Sequence, residues 1–197
     1  LNSDGRESSM CGNGGRCITA FAHSLGVFGE RCRFWAIDGE HEAILRPADR
    51  WVELKMIDVQ EVETGEGFYY LDTGSPHYVT FVEGLEELDV YEAGRKVRYS
   101  DRFREEGTNV NFVQLEPEGI AVATYERGVE DETLSCGTGV TAAAIAYRLR
   151  QQNGVGKVPI RVKGGSLEVR LKANDKGFTE IWLCGPAEMV FTGEIKV

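Results

Sequence analysis

Positive charge is what this chain has least of. Its 197 residues carry 22 Lys and Arg against 32 Asp and Glu, for a net charge of −10. Holding a phosphate backbone needs clustered cations, so a nucleic-acid partner is excluded. No apolar run approaches the roughly 18 residues of a membrane span, and no signal-peptide pattern opens the chain. The five cysteines include no Cys-x-x-Cys, which counts against a thiol redox protein. They include no C-x₂₋₄-C pair either, which disfavours zinc, so no metal is expected. An odd cysteine count is not the framework of a small secreted domain. A reduced, cytoplasmic location is the simplest expectation. There is no initiating methionine: the chain opens at Leu1, close to its first cysteine, as expected of a piece of a longer polypeptide.

One short pattern is present twice. Glu7-Ser8-Ser9-Met10-Cys11-Gly12-Asn13-Gly14 opens one helix-forming run, and Glu132-Thr133-Leu134-Ser135-Cys136-Gly137-Thr138-Gly139 opens another. In both, glutamate stands four residues before cysteine, Gly-x-Gly follows directly, and an Ala-containing apolar segment comes next. The copies are too far apart for a short-period repeat array, so they mark a duplicated half-structure. Each puts a thiol where a helix begins, beside unpaired N–H groups and the positive end of the helix dipole. A thiol in such a place ionises more readily than a free one. The glycines let a ligand approach the backbone, so each loop is both a poised base and an anion cradle.

The remaining pattern is mostly strand. Helices are predicted over Gly12–Leu25, closed by Gly26, over Val90–Arg98, capped by Asp89, and over Gly137–Gln152. Strands are predicted over Cys32–Ile37, Glu42–Leu45, Trp51–Ile57, Phe68–Leu71, His77–Val82, Asn109–Leu115 and Ile120–Tyr125. Four more follow, over Pro159–Lys163, Leu167–Leu171, Thr179–Leu183 and Met189–Val197. Asp38-Gly39 is read as a hairpin turn, and the acidic stretch from Gln60 to Gly67 as a domain boundary. The fold class is α+β: mostly antiparallel sheet wrapped on central helices. Two units are expected, residues 1–65 with 186–197 and residues 66–185.

With both loops in view, the chain resembles the diaminopimelate epimerases. The likeness rests on Asn2-Ser3-Asp4-Gly5 with Met10-Cys11-Gly12-Asn13-Gly14, and on Gly74-Ser75-Pro76-His77. It continues through Asn109-Val110-Asn111-Phe112, Tyr125-Glu126-Arg127-Gly128, Ser135-Cys136-Gly137-Thr138-Gly139 and Gly185-Pro186-Ala187-Glu188. These fall in the family's order along nearly the whole chain. The resemblance implies a cofactor-independent isomerase acting on a small amino acid, LL- or meso-diaminopimelate. It implies two pseudo-symmetric domains, each a helix enclosed by sheet, with the last strand, roughly residues 186–197, returning to the first domain. A homodimer is also what the family suggests. Two departures stand out: the family's strand-rich segment upstream of Asn2 is absent here, and Ser75 replaces the usual asparagine.

Epimerisation removes an α-proton from one face and returns one to the other, a task suited to two opposed thiols. Cys11 and Cys136 are the candidates, Cys11 the donor and Cys136 the acceptor in the family's usual assignment. Backbone N–H groups at Gly12, Asn13, Gly137 and Thr138 would hold the α-carboxylate. The resemblance makes His77 a partner of Cys11 and Glu126 a partner of Cys136. Arg127, with Asn2, Asn109 and Ser75, would meet the far end of the substrate. Asn111 is read as structural. Cys17, Cys32 and Cys184 fit buried structural positions. Proline or hydroxyproline racemisation is the nearest alternative, and a non-catalytic thiol or binding domain the more distant one.

Overall fold

In the computed structural model, residues 10–151 and 156–195 are described. Among the described residues three α-helices form: α1 (Gly12–Ser24), α2 (Val90–Arg98) and α3 (Gly137–Gln151). The first-half strands are β1 (Arg31–Ala36), β2 (Gly39–Arg46), β3 (Trp51–Lys55), β4 (Glu63–Gly65), β5 (Phe68–Asp72) and β6 (Pro76–Phe81). The later ones are β7 (Asn109–Glu116), β8 (Gly119–Glu126), β9 (Asp131–Thr133), β10 (Lys157–Val162), β11 (Gly165–Asn174) and β12 (Gly177–Pro186). They form one sheet in the order β1-β2-β3-β12-β11-β10-β8-β7-β6-β5-β4, with β9 on the far side of β8. Pairing is antiparallel except at β6–β7 and β8–β10. The α+β class follows as expected.

The sheet curls around α3. Every residue from Gly137 to Ala146 is buried, so no polar face is left on those turns. A helix apolar on all sides must be enclosed on all sides. Its small residues, Ala142, Ala143, Ala144 and Ala146, let it sit among Val79, Val113, Ile120, Ile160, Val169 and Leu183. Among the described residues the first helix is covered by β2, β3 and β12 and meets α3. Gly12, Gly15, Arg16 and Thr19 are its buried positions, while Ile18 and Phe21 face outwards.

Local chemistry accounts for the helix ends. Cys11 caps α1, its Sγ accepting from the Gly14 N–H at 3.4 Å. Gly26, at φ +72°, closes the helix where a side chain would be strained, its N–H reaching the His23 carbonyl at 2.9 Å. Asp89 caps α2 by accepting from the Glu92 N–H at 3.0 Å.

Three details differ from the sequence expectation. The β1–β2 hairpin turns on Ile37-Asp38, and Gly39 at φ +128° already pairs with Ala36. The acidic stretch is part strand, because β4 pairs with β5 around Gly67, φ +79°. The expected strand over Met189–Val197 is not formed in its described part. Residues 187–195 are irregular, and Val190, Phe191 and Ile195 are exposed; residues 196 and 197, like Gln152, lie outside the described residues. β12 is held between β3 and β11. Pro186 ends it: proline has no N–H to continue the ladder, and both edges of β12 are already occupied.

The α1 and α3 starts meet backbone to backbone. A Cβ on Gly137 would lie 2.7 Å from the Gly12 Cα, and one on Gly12 would lie 2.6 Å from Leu183 Cδ2 and 3.0 Å from the Gly137 Cα. We therefore expect Gly137→Ala to destabilise the fold by about 1–3 kcal/mol, the usual cost of overpacking a filled interior. Urea unfolding of the two proteins side by side measures it; an unchanged midpoint would contradict the contact.

Candidate active site

The abutting helix starts bring both cysteine loops to one place. Asn13, in the first loop, donates through Nδ2 to the Ser135 carbonyl of the second at 2.8 Å. Arg16, one turn further along α1, donates to Asn13 Oδ1 at 2.9 Å and to the Gly12 carbonyl at 3.4 Å. It is buried, and its Nε has no hydrogen-bond partner among the described residues. Burial lowers the Arg16 pKa, and the nearby thiols of Cys17, Cys11 and Cys184 oppose that effect.

The two thiols differ in surroundings. Cys11 is exposed and Cys136 is buried. Burial pushes the Cys136 thiol up to about 12, with the Glu126 carboxyl and Cys11 adding to the push. The Thr138 hydroxyl, 3.5 Å from Sγ, and the Gly139 N–H work the other way. Glu126 itself is raised by burial, although its Oε2 accepts from Thr133 at 3.0 Å. Cys136 is thus a proton-loaded thiol at neutral pH, beside the Glu126 carboxyl, which burial also shifts towards its protonated form.

His77 lies behind this loop. The resemblance implied a place beside Cys11, but its ring bonds Thr138 Oγ1 through Nε2 at 2.9 Å and Asn111 Nδ2 through Nδ1 at 3.1 Å. The reason is register: His77 is the second residue of β6, which runs parallel to β7 on the wall that α3 packs against. The ring is fully buried, and desolvation together with the Arg127 charge lowers its pKa to about 3. It is therefore neutral at working pH.

Asn109, Ser75 and Arg127 form a second cluster. Asn109 Nδ2 donates to Ser75 Oγ at 2.9 Å and to the Pro76 carbonyl at 3.1 Å, while its Oδ1 accepts from the Arg127 N–H at 2.9 Å. The Arg127 guanidinium donates to the Glu106 carbonyl at 2.9 Å. Asn109 is thus committed to joining β6, β7 and the end of β8. Asn2 lies outside the described residues. The glycines are used for packing: Gly12 and Gly137 touch each other, and a Cβ on Gly139 would lie 2.4 Å from Asn111 Oδ1.

Two buried residues beside these loops were not among the sequence candidates, Asn111 because it was read as structural and Arg16 because it was not singled out. Asn111 is completely buried and bonds His77, the Tyr78 carbonyl and Thr124. The signal was its spacing of two from Asn109 on one strand, which puts both on the same face. Arg16 carried a weaker signal, four positions from Gly12 on the helix. Among the described residues no group of three or more His, Cys, Asp or Glu converges as a metal site would. No helix among them is long and apolar enough to cross a membrane. Two wide surface cavities, about 780 and 910 Å³, lie away from the thiols.

The sequence model of diaminopimelate epimerases matches residues 69–190. A diaminopimelate epimerase of Flavobacterium psychrophilum is 48% identical over 96% of this chain and 74% of its own length. That of Aquifex aeolicus is 39% identical over 99% of this chain and 72% of its own length. The chain belongs to the diaminopimelate epimerase family. Solved structures at lower identity share the fold. A hydroxyproline epimerase of Agrobacterium vitis superposes with a TM-score of 0.71 at 17% identity, over 94% of this chain and 66% of that one. A phenazine biosynthesis protein of the PhzF family from Bacillus anthracis also gives 0.71, at 11% identity, over 92% and 74%.

In this epimerase-family chain the contrast between the thiols is measurable. The thiolate is the species that is alkylated. Iodoacetamide at pH 7.5 is expected to label Cys11 before Cys136, read by peptide mass. Labelling of Cys136 should climb about tenfold per pH unit up to pH 10 without levelling. A plateau below pH 9 would contradict the burial effect.

Proposed function

We propose that this chain interconverts LL- and meso-diaminopimelate, without a cofactor, by proton transfer between the α-carbon and two cysteines. The observation that carries the reading is the meeting of Gly12 with Gly137, which brings two cysteine-bearing helix starts together. Cys136, buried and holding its proton, is suited to donate; Cys11, exposed and accepting the Gly14 N–H, is suited to receive. The reverse reaction exchanges the roles, and the family's usual assignment describes that direction. Either way one thiol removes a proton from one face while the other supplies one to the opposite face.

The α-carboxylate would lie against the N–H groups of Gly12, Asn13, Gly137 and Thr138, where two helix dipoles favour negative charge. As the α-proton leaves, charge moves onto that carboxylate, and the same N–H groups hold it. Glu126 and His77 act on the Cys136 side. Arg127 suits the substrate's second carboxylate, since a guanidinium meets a carboxylate with paired N–H groups. Ser75 and Asn109 hold that end of the pocket, and Asn2 is proposed to join them. The units that close over substrate are residues 1–65 with 186–197 and residues 66–185.

Proline or hydroxyproline racemisation is the second reading, favoured by the fold shared with a hydroxyproline epimerase. Arg127 argues for the longer substrate, because proline has no second charged end. Turnover of proline with none of diaminopimelate would reverse the choice. In D₂O, the product of LL-diaminopimelate is expected to carry deuterium at one α-carbon, read by mass spectrometry. A product without deuterium would remove the proton-transfer mechanism, and no turnover at all would favour a binding domain. Cys11→Ala and Cys136→Ala should each lower kcat by about 10²–10⁴-fold, the usual worth of a general acid or base. Full activity in either variant would defeat the two-base scheme.

A further inference from the structure

Behind Cys136 a chain of hydrogen bonds runs inward across three elements, and its direction follows from the groups in it. Asn111 is the inner end. Its Nδ2 lies 3.0 Å from the Tyr78 carbonyl, which can only accept. That contact fixes which end of the amide is nitrogen. The other contacts agree: Oδ1 accepts from the Thr124 hydroxyl at 3.0 Å, across the β7–β8 pairing that places Asn111 opposite Thr124. The second Nδ2 hydrogen points to His77 Nδ1 at 3.1 Å.

A donor facing Nδ1 leaves room for only one neutral ring. Nδ1 must be the bare nitrogen, so the ring proton is on Nε2. Nε2–H then donates to Thr138 Oγ1 at 2.9 Å. With its oxygen accepting that N–H, the Thr138 hydroxyl gives its own proton towards Cys136 Sγ at 3.5 Å. With the opposite tautomer, Asn111 and His77 would face each other hydrogen to hydrogen. The Thr138 hydroxyl would turn back to Nε2, and Sγ would lose its donor.

We propose that Asn111 is a positioning residue of this active site, which holds His77 as the Nε2–H tautomer and so aims the Thr138 hydroxyl at Cys136. The effect is to stabilise negative charge on a sulfur that burial otherwise keeps neutral. All members are buried, so water does not compete for these bonds. Gly139 is part of the arrangement, because its lack of a side chain lets the start of α3 press on the Asn111 oxygen. The other charged or titratable groups acting here are Glu126 from β8, Cys11 from the start of α1, and Arg127, whose charge reaches His77. None of them touches the Asn111–His77 bond, so each leaves the tautomer unchanged.

The inference deepens the two-base reading, and its test separates the two. In protein with ¹⁵N-labelled histidine, the His77 ring shifts report the tautomer directly, with no variant and no substrate. Nε2–H is expected from pH 5 to 8; an Nδ1–H ring there would overturn the proposal whatever the enzyme turns over. Asn111→Asp then exchanges the donor for an acceptor of equal shape. In it the ring should switch to Nδ1–H, and alkylation of Cys136 at fixed pH, measured in a Cys11→Ala background, should slow by about tenfold, the worth of one hydrogen bond to a charged group. Thr138→Val should slow alkylation similarly, whereas Thr138→Ser, which keeps the hydroxyl, should restore it. A purely structural Asn111 would leave the alkylation rate unmoved while lowering stability, and that result would also overturn the proposal. Absence of diaminopimelate turnover would bear on the proposed function alone, since the ring shifts and alkylation rates do not depend on it.

Discussion

Two helices cannot normally bring their first turns into backbone contact, because a Cβ on either side would hold them apart. Here the contact is made by Gly12 and Gly137, with Leu183 of β12 packed against both. It depends on the sheet: β12 lies between β3 and β11, so one continuous strand ladder runs past the point where the two helices meet. Both cysteines stand one residue before these glycines, and their convergence is therefore set by steric fit and sheet pairing together. Asn13 bonding the Ser135 carbonyl adds a polar tie across the same seam.

The two loops repeat in sequence, but their surroundings differ. α3 is enclosed by sheet, while α1 leaves Ile18 and Phe21 facing outwards. One thiol is consequently buried and the other open to solvent. Desolvation makes the buried Cys136 thiol resist charging.

The hydrogen-bonded residues behind Cys136 show why register matters. Asn109 and Asn111 share a face of β7, yet the first bonds Ser75 and Arg127 while the second bonds His77. Two positions along a strand move a side chain by one pleat repeat, enough to change its neighbours completely. His77 sits with Thr138 because β6 and β7 run parallel, and a one-residue slip would turn it to the opposite face.

Much of this was legible in the residues. The duplicated Cys-Gly-x-Gly pattern located both helix starts, Asp89 and Gly26 marked helix ends, and period-two alternation located most strands. β4 and β9 were missed, since three-residue strands carry too little pattern to read. The strand expected after Met189 was an error of a different kind: apolar residues there resemble a strand, but Pro186 ends the ladder and both edges of β12 are already occupied. The sequence by itself therefore determined the local chemistry: which thiols begin helices, which glycines leave room, and the family to which the chain belongs. Only the tertiary structure decided which thiol is buried, and that the His77 ring lies between Thr138 and Asn111. Burial and hydrogen-bond partnership are properties of neighbours brought together from distant parts of the chain, and no local pattern encodes them.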